Sequence, residues 1–130
     1  MLQPRKKILI VDDEPGICEL LSEALEQAGY DTLTAADGRE GFEKARSAQP
    51  DLILLDVVMP GVDGWQMLER LGRSAKTQTI PVVMLTAKSE TESLFKSREL
   101  KVLDYFIKPV VIEELLSFIR RYVDLRPPED

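Results

Sequence analysis

Asp12, Asp13, Asp56 and Lys108 are the residues of this chain whose types and placement suit chemistry. Asp12 and Asp13 follow the apolar run Ile8-Leu9-Ile10-Val11, and Asp56 follows Leu52-Ile53-Leu54-Leu55. Lys108, itself followed by Pro109, closes the run Tyr105-Phe106-Ile107. An apolar run shut abruptly by an acid reads as a buried parallel strand whose C-terminal end reaches solvent. Ligands of open α/β sheets bind just beyond such ends. Three carboxylates gathered there repel one another by roughly 4 kcal/mol per pair at 4 Å and an effective dielectric near 20. A proton or a cation must compensate them, and donors that are all oxygen favour a hard ion such as Mg²⁺. The expected chemistry is a metal-assisted reaction at a carboxylate.

The elements that must position these groups alternate strand and helix five times. A strand over Lys7–Val11 leads into a helix whose Ile17, Leu20, Leu21, Ala24, Leu25 and Ala28 share one stripe. Pro15 suits the first turn of that helix and Gly29 its end. The next strand, 30–35, alternates polar and apolar residues, which marks an edge exposed on one side. Asp37-Gly38-Arg39-Glu40 has the form of a capping box for a helix carrying Phe42 and Ala45. The third strand ends at Asp56, Pro60-Gly61 marks a turn, and Asp63-x-x-Gln66 caps a helix with Met67, Leu68 and Leu71. Pro81-Val82-Val83-Met84-Leu85 is the fourth strand, ending at Thr86, and Ser89-x-x-Glu92 opens a fourth helix. The last helix presents Ile112, Leu115, Leu116, Ile119 and Val123 on one stripe. Strict βα alternation with right-handed crossovers implies a parallel sheet with helices on both faces. One domain accounts for residues 5–124, and the Pro-rich residues 125–130 read as a tail or linker.

Composition closes off several classes. The 130 residues carry 44% apolar and 31% charged side chains, a globular balance with no run long enough to span a bilayer and no signal-type segment. The expectation is a cytoplasmic protein. A net charge of −6 argues against a nucleic-acid-binding face in this chain. One cysteine, Cys18, excludes an internal disulfide and reads as a small, inert helix residue rather than a redox sensor. There is no histidine, so no His-based triad, zinc site or general base.

The strand ends together resemble the receiver domain of two-component response regulators. The resemblance rests on Val11-Asp12-Asp13-Glu14, on Leu55-Asp56-Val57-Val58-Met59-Pro60-Gly61-Val62-Asp63-Gly64, on Leu85-Thr86-Ala87 and on Tyr105-Phe106-Ile107-Lys108-Pro109. It implies a doubly wound, flavodoxin-like (βα)5 fold with a five-stranded sheet of order 2-1-3-4-5. It also implies phosphoryl transfer from a phosphohistidine on a partner kinase, or on a phosphotransfer protein, to an aspartate of the chain itself. By that likeness Asp56 is the phosphoacceptor, Asp13 a direct Mg²⁺ ligand and Asp12 a ligand through water, with the backbone carbonyl of Val58 completing the set. Thr86 would hydrogen-bond the phosphoryl group and Lys108 would pair with its oxygens. The family switch would move Thr86 and then Tyr105, making the fourth helix, fifth strand and fifth helix the output face.

Each residue also has an ordinary reading. Asp12 and Asp13 suit a helix cap, which is compatible with metal binding. Thr86 suits a strand end, Tyr105 a half-buried edge position, and Lys108 a counter-ion for the acids. For the Lys108–Pro109 peptide the likeness suggests cis where trans is the default. Trp65 stays open between a surface aromatic and a partner contact. The chain departs from the family at Lys101-Val102, and its fourth helix holds the weak helix formers Ser89, Thr91, Ser93 and Ser97, which marks it as the element to reposition. Val58 and Lys88 do not obviously hold an attacking water, so slow self-dephosphorylation is expected.

Other classes fit less well. A haloacid-dehalogenase-type phosphatase needs Asp-x-Asp at the first strand end, which Asp12-Asp13-Glu14 lacks. No phosphate-cradling loop for a flavin follows the first strand, and the P-loop motif of nucleotide hydrolases is missing. An unphosphorylated protein-binding scaffold would have no use for the complete acid, Thr and Lys set.

Overall fold

The computed structural model describes residues 5–57, 59, 63–87 and 102–124. Five parallel strands, β1 (Lys7–Val11), β2 (Asp31–Ala35), β3 (Leu52–Asp56), β4 (Val82–Ala87) and β5 (Asp104–Lys108), form one sheet of order β2-β1-β3-β4-β5. Among the described residues four helices pack on it: α1 (Pro15–Gln27), α2 (Gly38–Ala48), α3 (Gly64–Arg73) and α4 (Ile112–Ile119), the last continued by a π-helical turn over Arg120–Asp124. This is the doubly wound arrangement expected from the sequence. The helix opening at Ser89, together with Lys88 and Lys101, lies outside the described residues, as do Val58 and residues 125–130. No described helix is long and apolar enough to cross a membrane.

The period of two along each strand divides the core. Leu9, Val11, Ile53, Leu55, Val82 and Met84 face α2 and α3, where they meet Ala45, Met67, Leu68 and Leu71. Ile8, Ile10, Leu52, Leu54, Val83 and Leu85 face α1 and α4, where they meet Leu21, Leu25, Leu115 and Ile119. Because β1, β3 and β4 are covered on both sides, their sequences are continuous apolar runs. Each such side chain contributes about 1.5–3 kcal/mol relative to exposure. Strands β2 and β5 are the edges and are only partly covered, β2 as its alternation indicated.

Helix boundaries follow local chemistry. Pro15 stands in the first turn of α1, and Gly29 just beyond its end adopts φ +103°, a conformation costly to any residue with a Cβ. The apolar stripe of α1 is narrower than expected. Leu20 is 54% exposed, whereas Cys18, Leu21 and Leu25 are buried, because the sheet contacts only one flank of the helix. Asp63 and Gln66 form a reciprocal capping box at α3. At α2 only half of one forms: Asp37 accepts the Glu40 amide, but the Glu40 carboxylate accepts from Ala36 N–H rather than from Asp37.

Candidate functional site

The strand register brings the polar residues to a common rim. Val11 lies beside Leu55, Asp56 beside Leu85, and Ala87 beside Lys108, so the C-terminal ends of β1, β3, β4 and β5 are level. Asp56 and Lys108 are the last residues of their strands, Thr86 is the last but one of β4, Asp12 follows β1 directly and Asp13 stands one residue further on. A rigid, buried ladder therefore sets the spacing of Asp12, Asp56, Thr86 and Lys108, while Asp13 lies in the short β1–α1 connection.

Carboxylate oxygens of Asp12, Asp13 and Asp56 lie within 4.8 Å of one another. Asp12 and Asp56 are buried and Asp13 is exposed. Lys108 Nζ donates to Asp12 Oδ2 at 2.8 Å and lies 3.3 Å from Asp56 Oδ1. Burial by itself would pull the Lys108 ammonium down. The hydrogen bond to Asp12 and the charges of Asp56 and Asp12 outweigh that, and the net direction is up. The ordinary roles proposed for the acids are thus partly present. Lys108 is a counter-ion, but neither Asp12 nor Asp13 is the N-cap of α1. Glu14 holds that position without a side-chain cap bond, and Asp12 Oδ1 instead accepts the Glu14 amide at 3.0 Å.

The acid cluster suits a hard divalent cation. Its donors are all oxygen, and its 4.8 Å span is close to the about 4.2 Å between opposite oxygens around magnesium. Asp13, the exposed acid, borders a cleft of about 420 Å³ also lined by Glu19, Ser22, Glu40 and Lys44. Lys44 is tied to the Thr34 carbonyl and to Glu40, so it is not a second cation of the acid cluster.

Thr86 is fully buried at the end of β4, and its hydroxyl donates to the Ala87 carbonyl at 3.2 Å. Tyr105 on the β5 edge is half-buried against the α2–α3 face of the core. Burial, followed by the charge of Asp104, pushes its phenol up. The Lys108–Pro109 peptide is cis. Cys18 is buried beneath the site with its Sγ donating to the Asp12 carbonyl at 3.4 Å, and burial pushes its thiol up, away from thiolate reactivity. Trp65 is not a surface aromatic: it lies on the inward face of α3, in the core.

One residue of the site has no signal in its side chain. Gly64 opens α3 with its amide donating to the Val57 carbonyl at 3.0 Å, and a Cβ there would stand 2.2 Å from the carbonyl oxygen of Asp56. The clue available in the sequence was a poor helix former directly after a helix cap.

Residues 8–120 match the family described as the response regulator receiver domain. The chain belongs to that family. This receiver domain is 38% identical to sporulation initiation phosphotransferase F of Bacillus subtilis, over 93% of this chain and 96% of that protein. It is 44% identical to the DNA-binding dual master transcriptional regulator RpaA of Synechocystis sp. over 88% of this chain, which is 47% of the relative. The receiver domain thus spans nearly the whole of one relative and about half the length of the other. Its backbone also resembles the Vibrio cholerae chemotaxis protein CheY4, with a TM-score of 0.84, 33% identity, and coverage of 91% of this chain and 98% of that one.

Proposed function

We propose that this receiver domain accepts a phosphoryl group on Asp56 from the phosphohistidine of a partner sensor kinase or phosphotransfer protein. The observation that carries the reading is the meeting of three acids and Lys108 at the sheet rim, with carboxylate oxygens within 4.8 Å and the ammonium 2.8 Å from Asp12 and 3.3 Å from Asp56. In the transfer the donor's phosphorus–nitrogen bond breaks, its electron pair stays with the imidazole, and a phosphorus–oxygen bond to the Asp56 carboxylate forms. A loose phosphoryl-transfer transition state needs in-line placement and neutralisation of its outer oxygens more than it needs a base. Asp12, Asp13, Asp56 and the Val58 carbonyl would hold Mg²⁺, which supplies positive charge to the transferring oxygens and offsets the crowded acids.

The remaining work falls to the chain's own groups. Lys108 exchanges its carboxylate partners for phosphoryl oxygens, and the Thr86 hydroxyl exchanges the long bond to Ala87 for a phosphoryl acceptor. The added charge of about −1.5 to −2 is thereby met by a donor from β4 and a cation from β5. Movement of Thr86 then draws Tyr105 inward and alters the face that includes β5 and α4, where an output partner or domain binds. Water later attacks the phosphorus, restores the carboxylate and releases inorganic phosphate, so the only reaction the chain promotes is on itself. The acting unit is assigned to residues 5–124, working in the cytoplasm, with nucleic acid outside its own contacts.

Incubation with Mg²⁺ and acetyl phosphate, followed by intact-mass measurement, tests the reading. One added phosphoryl group is expected on the wild type and none on Asp56→Asn. An unlabelled wild type, or equal labelling of the variant, overturns it.

A further inference from the structure

We infer that Gly64 is a positioning residue for the phosphoacceptor: its bare Cα lets α3 rest directly on the Asp56 peptide and so sets where that carboxylate stands. The inference rests on Asp56 being the acceptor. A Cβ at position 64 would lie 2.2 Å from the Asp56 carbonyl oxygen, 2.9 Å from Val57 Cα and 3.0 Å from the Val57 carbonyl oxygen. All three neighbours are backbone, so no side-chain rotation relieves the overlap. The φ of Gly64 is not in the left-handed region, and the restriction is one of space, not conformation.

Neither side yields easily. The Val57 amide donates to the Leu85 carbonyl at 3.0 Å and the Val57 carbonyl accepts from Gly64 at 3.0 Å, which pins the peptide between β4 and α3. Helix α3 is held by the Asp63–Gln66 box and by the burial of Trp65, Met67, Leu68 and Leu71. A further glycine, Gly41 of α2, receives the Met67 side chain so closely that a Cβ there would lie 3.0 Å from its sulfur. An added methyl group at position 64 must therefore displace the Asp56–Val57 peptide by about 1 Å to restore ordinary contact distances. A misplacement of about 1 Å at a reacting group is enough for a rate loss of the order of a hundredfold.

The same helix supplies the control. Gly72 is exposed on α3 with nothing within 4 Å of a Cβ, so Gly72→Ala raises helix propensity without touching the acceptor. Gly64→Ala, Gly72→Ala and the double variant are compared by thermal melting and by phosphorylation rate at saturating acetyl phosphate and Mg²⁺. Gly72→Ala is expected to phosphorylate like the wild type. The double variant is expected to melt cooperatively, above Gly64→Ala, and yet to phosphorylate at least tenfold more slowly than the wild type. A wild-type rate in a folded Gly64→Ala or double variant overturns the inference and leaves the Asp56 reading intact. Loss of the cooperative melt in both also overturns it, by making Gly64 a folding requirement. An unlabelled wild type overturns the Asp56 reading instead.

Discussion

Lys108 Nζ lies 2.8 Å from Asp12 Oδ2, joining the end of an edge strand to the acid that follows a central one, and it bridges there to Asp56 at 3.3 Å. The Lys108 side chain is 20% exposed and the Asp12 side chain is wholly buried. Two buried acids therefore share this cation, and removing one partner of such a group costs more than its formation contributes.

Lys108→Met is accordingly expected to lose about 1–3 kcal/mol of stability at neutral pH in metal-free buffer, the cost of leaving buried acceptors without their donor. Added Mg²⁺ should restore part of the loss by taking over the compensation. Urea unfolding midpoints with and without Mg²⁺ measure both effects. A variant as stable as the parent without metal would deny the ion pair its weight.

Asp13 is the exposed member of the acid cluster, and no ion pair to it is seen among the described residues. Asp13→Asn is expected to stabilise the metal-free protein by about 0.5–1 kcal/mol, since it removes one of three like charges. Mg²⁺ is expected to raise the melting temperature of the wild type, and the variant is expected to lose that rise. Gain of stability together with loss of the metal response is the mark of a group kept for function.

The position of Cys18 predicts its reactivity. It is 8% exposed and donates inward to the Asp12 carbonyl. Although Cys18 borders the cleft beside Asp13, Ellman's reagent should react with it far more slowly in the native protein than in denaturant, where labelling is stoichiometric. Rapid labelling of the native protein would contradict the burial.

Tyr30 gives an alkaline signature. Burial, followed by the charge of Asp124 and the hydrogen bond to it, pushes its phenol up from 10.0 to about 12. The folded state holds this proton more firmly than the unfolded one, so the contribution is full below about pH 10 and vanishes as pH rises through about 12. The advantage of wild type over Tyr30→Phe should fall by up to about 2 kcal/mol across that window. Unfolding series at pH 9 and pH 12 check the loss, and absorbance titration of the phenolates should show one tyrosine ionising last.

Much of the site was legible because the strand-end rule and the alternation of elements both act locally. The apolar runs ending at Asp12 and Asp56 named the acids, and the run ending at Lys108 named their partner. What sequence could not give was contact between elements. Leu20 fits the period of α1 yet faces solvent, because the width of the buried stripe depends on how the sheet meets the helix. Trp65 next to a site looked exposed, but the inward face of α3 begins at its first turn. Gly64 stood unexplained within a recognised motif, since its importance lies in the Asp56 oxygen beneath it and not in any chemistry of its own.

Asp12 and Lys108 stand 96 positions apart in the chain. A polypeptide emerging from the ribosome thus exposes both aspartate stations long before the compensating amine is made. Until the fifth strand docks beside the fourth, Lys108 cannot reach those negative charges to offset them.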